Sequence, residues 1–164
     1  MLSKSPSVAV GVLTWNVFGT DRLRLLEQTI ASLNVGVPLF ICDNGSTDAT
    51  RELVASLGGS RCEGRTIGHG VNFTINACLT AKPDVIVFSN DDMLWHDGWL
   101  DKVQGFWSEA PDDIGLLSGL LEPDWSWNQI TAAHTIGGLR VLERATVPAA
   151  SWTMRAETWR RAIR

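Results

Sequence analysis

Apolar positions along this chain alternate between two rhythms, and the alternation predicts repeated strand–helix units. Val8 to Thr14 is a near-continuous apolar run, as expected of a strand covered on both faces. A polar, glycine-containing loop follows from Trp15 to Thr20. From about Asp21 to Leu33 the period becomes helical, with Leu23, Leu26, Ile30 and Leu33 on one face and Thr20 or Asp21 placed to cap it. Val37 to Cys42 predicts a second strand. A second helix starts near Asp48, turns Leu53, Val54 and Leu57 inward, and stops at Gly58-Gly59. A short strand is expected around Cys62 to Thr66, then a helix over Val71 to Thr80 that ends before Pro83. Val85 to Phe88 reads as the next strand, and Gly98 to Glu109 as a helix capped by Asp97, with Trp99, Leu100, Val103, Phe106 and Trp107 inward. Ile114 to Leu117 reads as strand five. Beyond it the periodicity weakens: Thr131 to Leu142 holds one or two strands, and Arg155 to Ile163 a helix. Such β-α-β repetition implies an α/β fold, a mostly parallel central sheet with helices on both faces.

Two polar clusters change this from a fold to a chemistry. The second predicted strand runs into Asp43-Asn44-Gly45-Ser46-Thr47-Asp48, and the Val85 to Phe88 strand runs into Ser89-Asn90-Asp91-Asp92. In an open α/β sheet, ligands bind in the crevice outside the carboxyl ends of the strands. Part of the first cluster is structural: Gly45 permits a tight turn, Ser46 or Thr47 can cap the next helix, and Asp48 suits that helix's positive end. Asp43, at the strand tip, has no capping duty in this reading and could accept hydrogen bonds from a base N–H or a ribose hydroxyl. A plain turn stands as the alternative. In the second cluster three oxygen-bearing side chains offer the hard ligands that Mg²⁺ and Mn²⁺ prefer. Burying two adjacent aspartates without a cation is costly, and a solvated acidic turn is the alternative.

The order and spacing of four stretches resemble the inverting family-2 glycosyltransferases of the GT-A fold. These are Val10-Gly11-Val12-Leu13-Thr14-Trp15-Asn16, Asp43 to Asp48, Gly68-His69-Gly70-Val71-Asn72 with Asn76, and Val85 to Asp92. The likeness covers roughly residues 7 to 120. It implies a Rossmann-like three-layer α/β/α sandwich with a mostly parallel sheet, and transfer of a sugar from a nucleotide-diphosphate sugar, UDP-sugar favoured, to an acceptor hydroxyl with inversion. By the same resemblance Thr14, Trp15 and Asn16 line the nucleotide pocket, and Asp43 with Asn44 and Ser46 meets the base or ribose. Gly70 and Asn76 approach the nucleotide and sugar. Asn90, Asp91 and Asp92 stand in place of the family's Asp-x-Asp motif. Asp92, with Asp91, would ligate Mn²⁺ or Mg²⁺. Asn90 replaces the first aspartate of that motif, which leaves one less negative charge near the metal.

The resemblance also implies a general base, and here the chain departs from it. In the family a carboxylate follows a Gly-Gly-Phe-Asp-like turn. Trp152 to Arg164 resembles the helix before that turn, and the chain stops there, so residues 121–164 read as an incomplete acceptor-side region of a truncated or minimal member. Asp124, Glu122 and His134 are the in-chain candidates. Trp95, Trp125 and Trp127 lie near or beyond the acidic triplet and read either as sugar contacts or as loop packing. Arg155, Arg160, Arg161 and Arg164 make a basic end that reads as a solvated helix face, with diphosphate or lipid-phosphate contact as the alternative. The acceptor, whether carbohydrate, lipid-linked or another hydroxyl, is not encoded legibly.

Composition narrows the field further. At 164 residues the chain is sized for one domain, 1–164, with one core. Its net charge of −4 argues against a nucleic-acid partner. The three cysteines, Cys42, Cys62 and Cys78, have no C-x-x-C spacing and fall in apolar stretches, so small buried residues are expected. No apolar run approaches the roughly 20 residues of a membrane span. A cytoplasmic protein is expected, with attachment to a membrane surface left open and the oligomeric state unread. Two other functions compete. One is a nucleotide-sugar-binding domain deficient in catalysis, acting with a partner or as a fragment. The other is a nucleotidyltransferase, disfavoured because residues 15–20 carry no Lys or Arg.

Overall fold

The computed structural model describes residues 5–63, 66–118, 130–144 and 150–162. Strand β1 (Val8–Thr14) is the axis of the fold, and all seven of its residues are buried. It pairs in parallel with β2 (Leu39–Asp43) on one side and with β4 (Val85–Asn90) on the other. Strand β3 (Ser60–Arg61) extends the sheet beyond β2, and β7 (Ser151–Arg155) closes the other edge antiparallel to β4, so the order is β3-β2-β1-β4-β7. The expected α/β class with a mostly parallel sheet is what is found.

Helices cover both faces. Alternate β1 residues Val8, Val10 and Val12 join Val85, Val87, Leu26 and Leu33 of α1 (Arg22–Leu33), and Trp99, Val103, Phe106 and Trp107 of α4 (Trp99–Glu109), in one core. On the other face Ala9, Leu13, Ile86 and Phe88 pack with Ile75 and Cys78 of α3 (Ile67–Leu79), and with Trp152 and Met154 of β7. Helix α3 lies close against β1. A Cβ on Gly11 would sit 2.4 Å from Thr74 Cγ2 and 2.9 Å from Cys78 Sγ. The remaining elements are α2 (Thr50–Ser56), a hairpin of β5 (Ile130–Ile136) and β6 (Leu139–Arg144), and α5 (Ala156–Ala162).

Several boundaries differ from expectation, each for a local reason. Helix α3 begins at Ile67, because the Thr66 hydroxyl accepts from the His69 N–H and starts the helix ahead of its two glycines. Helix α4 is entered through Gly98 in the left-handed region (φ 74°), without a cap from Asp97. The short third strand precedes Cys62, and Leu57 is exposed. Ile114 to Leu117 makes only an isolated bridge, Leu117 to Thr153, and the place beside β4 goes to β7. Residues 152–155 were expected to begin a helix. They are drawn into the sheet because Trp152 stacks on Phe88 (5.0 Å) and Thr153 Oγ1 accepts from Trp107 Nε1 (2.8 Å). The helix waits until Ala156. No helix among the described residues is long and apolar enough to cross a membrane.

Candidate functional site

The carboxyl ends of β1, β2 and β4 form one rim. In the ladder Thr14 faces Asp43 and Leu13 faces Asn90. Thr14 therefore has Asp43 on one side, and on the other its hydroxyl donates to Asp91 Oδ2 at 2.6 Å. The two polar clusters, 48 residues apart between Asp43 and Asp91, meet across a single threonine.

Asp43 is fully buried, and its carboxylate does have turn duty, which corrects the sequence reading. Oδ1 accepts from the Ser46 N–H at 3.0 Å and from Ser46 Oγ at 2.5 Å, and Arg61 Nε stands 3.9 Å from Oδ2. Gly45, at φ 77°, makes the turn that returns Ser46 to Asp43. Ser46 Oγ also accepts from the Asn16 N–H at 2.9 Å. Asn16 sits at φ 48°, a conformation rare outside glycine, and its Oδ1 accepts from the Thr47 N–H at 2.8 Å. Thr50 Oγ1 receives the N–H groups of both Val17 and Phe18 (2.9 and 3.0 Å). These bonds clamp the β1–α1 loop onto the β2–α2 loop. They leave Trp15 half exposed, at 52%, with Phe18 exposed beside it. Ser46 and Thr47 are thus spent on loop-to-loop contacts, and Asp48 takes the helix end, accepting from the Thr50 N–H at 2.9 Å. Burial pushes Asp48 upward, but the Thr50 hydrogen bonds outweigh it and hold the carboxyl below its usual range.

Asn44 turns its Oδ1 inward, where it is buried without a hydrogen-bond partner among the described residues. Gly70 makes room for it: a Cβ there would lie 2.4 Å from that oxygen. Gly70 is buried, and any side chain at this position would collide with Asn44. Asn76 is exposed on α3.

The acidic turn divides into unequal parts. Asp91 is 2% exposed. Beyond Thr14 it is held by Arg22 Nη2, which reaches Oδ1 at 2.7 Å and Oδ2 at 2.8 Å, while Arg22 Nη1 donates to the Trp15 carbonyl at 3.1 Å. The cation beside the buried aspartate is therefore a residue of the chain. Asp92 is exposed, Asn90 half-buried, and neither side chain makes a hydrogen bond or ion pair among the described residues. Among those residues no cluster of three His, Cys, Asp or Glu side chains forms a cage for a metal. One exposed carboxylate, with an asparagine two residues before it, still fits Mg²⁺ or Mn²⁺, which binds through one or two carboxylates and completes its shell from substrate phosphates.

Sequence reasoning missed Arg22 and Arg61. Arg22 carried a signal: a cation in the first turn of a helix opposes the macrodipole, so a specific partner was to be expected. Trp95 is a packing residue, edge-on to Trp99 at 5.1 Å, its Nε1 donating to Ser89 Oγ at 3.1 Å. Asp124, Glu122, Trp125, Trp127 and Arg164 lie outside the described residues. His134 is exposed on β5, and the tip of that hairpin is fixed at Gly137 against Gly105 and Glu109, the half of α4 away from Asp92. Two surface cavities among the described residues lie elsewhere. One, of about 420 Å³, runs along α1 and residues 94–97; the other, of about 290 Å³, lies around Arg155. The rim is an open edge, with Trp15, Phe18 and Asp92 all reaching solvent.

Fold and rim together define a Rossmann-like α/β domain with its polar residues gathered at one carboxyl edge. The chain belongs to glycosyl transferase family 2, whose family model matches residues 11–145. No curated protein is matched. Among solved structures it is similar to glucosyl-3-phosphoglycerate synthase from Mycobacterium tuberculosis in complex with uridine diphosphate. That match has 14% identity and TM-score 0.51, and covers 93% of this chain and 57% of that one. The same synthase with Mg²⁺ and uridine diphosphate gives 15% identity and TM-score 0.49, at the same coverages. It is also similar to CMP:2-keto-3-deoxy-manno-octonic acid synthetase complexed with CTP, at 9% identity and TM-score 0.53, covering 96% of this chain and 77% of that one. At such identities the likeness is one of fold. The chain spans 57% of the length of the synthase.

Proposed function

We infer that this protein transfers a sugar from a nucleotide-diphosphate sugar, UDP-sugar favoured, to an acceptor hydroxyl with inversion. The observation that carries the reading is the meeting of the two polar clusters across Thr14, at the sheet edge where α/β folds take ligands, in a chain of this family. The exposed Trp15 indole offers a flat face to the nucleobase. Asp43 orders the turn that would position Asn44 and Ser46 around the nucleoside. Asp92, with the Asn90 amide oxygen, would hold Mn²⁺ or Mg²⁺. When bound, the ion supplies Lewis-acid stabilisation of the charge developing on the leaving diphosphate. An acceptor hydroxyl attacking opposite that leaving group must lose its proton to a general base. Asp124 stands as the candidate; His134 is placed less well, since its hairpin is pinned to the far half of α4.

The test is a transfer assay. The protein is incubated with a panel of nucleotide-diphosphate sugars, Mn²⁺ and a mixed set of hydroxyl acceptors, and the glycosylated product is read by mass spectrometry with its anomeric configuration by NMR. Product of inverted configuration from one nucleotide-sugar is expected. Tight nucleotide binding with no turnover would favour the binding-domain alternative. A nucleotidyl product would overturn both.

A further inference from the structure

The sequence reading placed Asp91 with Asp92 as metal ligands, yet the structure spends Asp91 inside the protein. Its carboxylate has two oxygens with about four acceptor sites. Thr14 Oγ1 takes one, and Arg22 Nη2 bonds both oxygens. At 2% exposure the residue presents no open face to the crevice. Arg22 is in turn fixed by the Trp15 carbonyl, so one guanidinium joins the first turn of α1, the β1–α1 loop and the acidic turn. A cation at that helix end is opposed by the macrodipole, and Asp91 is the partner that offsets the opposition. With Asn90 in place of an aspartate, the turn then offers a single free carboxylate, Asp92. A divalent ion held by one exposed carboxylate lacks the ligands to bind alone.

We propose that Arg22 is the resident counter-ion of the acidic turn and makes metal binding conditional on a nucleoside diphosphate, whose phosphate oxygens must arrive with the ion. Arg22 acts here as a positioning residue: it withholds Asp91 and leaves Asp92 as the carboxylate available to the metal. This deepens the donor-site reading above and rests on it.

The experiment measures Mn²⁺ binding by the electron paramagnetic resonance signal of free Mn²⁺, first with no nucleotide and then with saturating UDP. In the wild-type protein Mn²⁺ is expected to bind at least about tenfold more weakly without UDP than with it. Equal affinity in the two states overturns the proposal. In Arg22→Gln, Asp91 is released, and nucleotide-free Mn²⁺ binding is expected to strengthen by about tenfold or more. In the charge-balanced double variant Arg22→Gln/Asp91→Asn that gain disappears. A purely structural arginine would lower the melting temperature with no gain in Mn²⁺ affinity, and a folded Arg22→Gln protein with wild-type affinity overturns the proposal. Should Arg22→Gln not fold, Arg22→Lys serves. It keeps the charge but cannot bridge Asp91 and the Trp15 carbonyl, so a partial gain is expected and none overturns. If UDP fails to bind with or without Mn²⁺, the donor-site reading itself falls, and this inference with it. If UDP and Mn²⁺ strengthen each other's binding but Arg22→Gln leaves nucleotide-free Mn²⁺ affinity at the wild-type value, only the inference falls.

Discussion

Asp43 and Asp91 look alike in sequence, each an aspartate after an apolar strand, and both turn out to be structural anchors of the rim. Each is buried and bonded within the chain, one to Ser46 and one to Thr14 and Arg22. Burying either without partners would be costly, and the same partners hold the loops in place. Trp15, Phe18 and Asp92 face solvent at this rim, and ligand energetics should be concentrated on them. Trp15→Ala is expected to weaken UDP binding by about 1 to 3 kcal/mol, the range for base stacking on an aromatic face. Its melting temperature should stay near the wild-type value, because the indole is already half in water. Calorimetry with UDP, run beside a thermal melt, checks both. A stability loss with unchanged affinity would move Trp15 from the ligand to the scaffold.

At the scale of elements, the approach of α3 to β1 sets the tightest packing near the site. Gly11→Ala would drive a methyl into Thr74 and Cys78, and overpacking of this kind costs about 1 to 3 kcal/mol; urea unfolding should show that loss, and an unchanged midpoint would contradict the packing described. The same contact buries the thiols. Desolvation, with the Cys42 thiol nearby, pushes Cys78 up to about 12, and desolvation likewise raises Cys42. A thiol so raised stays protonated at neutral pH and reacts slowly. Native protein should therefore resist alkylation at both positions, while urea-unfolded protein labels fully; rapid labelling of the folded form would contradict their burial. Most of these elements were readable from periodicity alone, since β1, α1 and α4 are long and strongly patterned. What was not readable depended on distant partners. Residues 151–155 become a strand only because Phe88 and Trp107 receive them. Helix α3 starts early only because Thr66 caps a glycine-rich turn.

For the whole molecule, topology does what no single motif does. Parallel strands in the order β2-β1-β4 bring segments far apart in sequence to one edge, and the strand-tip clusters in the sequence point to that edge. The division of labour at the edge was hidden, because it rests on Arg22 crossing from α1 and Ser46 folding back on Asp43, contacts that spacing does not encode. Family 2 membership fits this architecture, and the structural neighbours share its fold at low identity. The central claim is that the edge binds a nucleoside diphosphate together with a divalent ion held by Asp92. It is tested most directly by calorimetric titration of UDP into wild-type and Asp92→Ala protein, each with and without Mn²⁺. The wild-type protein should bind UDP about tenfold or more tightly with Mn²⁺ than without it, and Asp92→Ala should lose that difference while keeping its fold. UDP affinity that ignores both Mn²⁺ and Asp92, or no binding at all, would contradict the account.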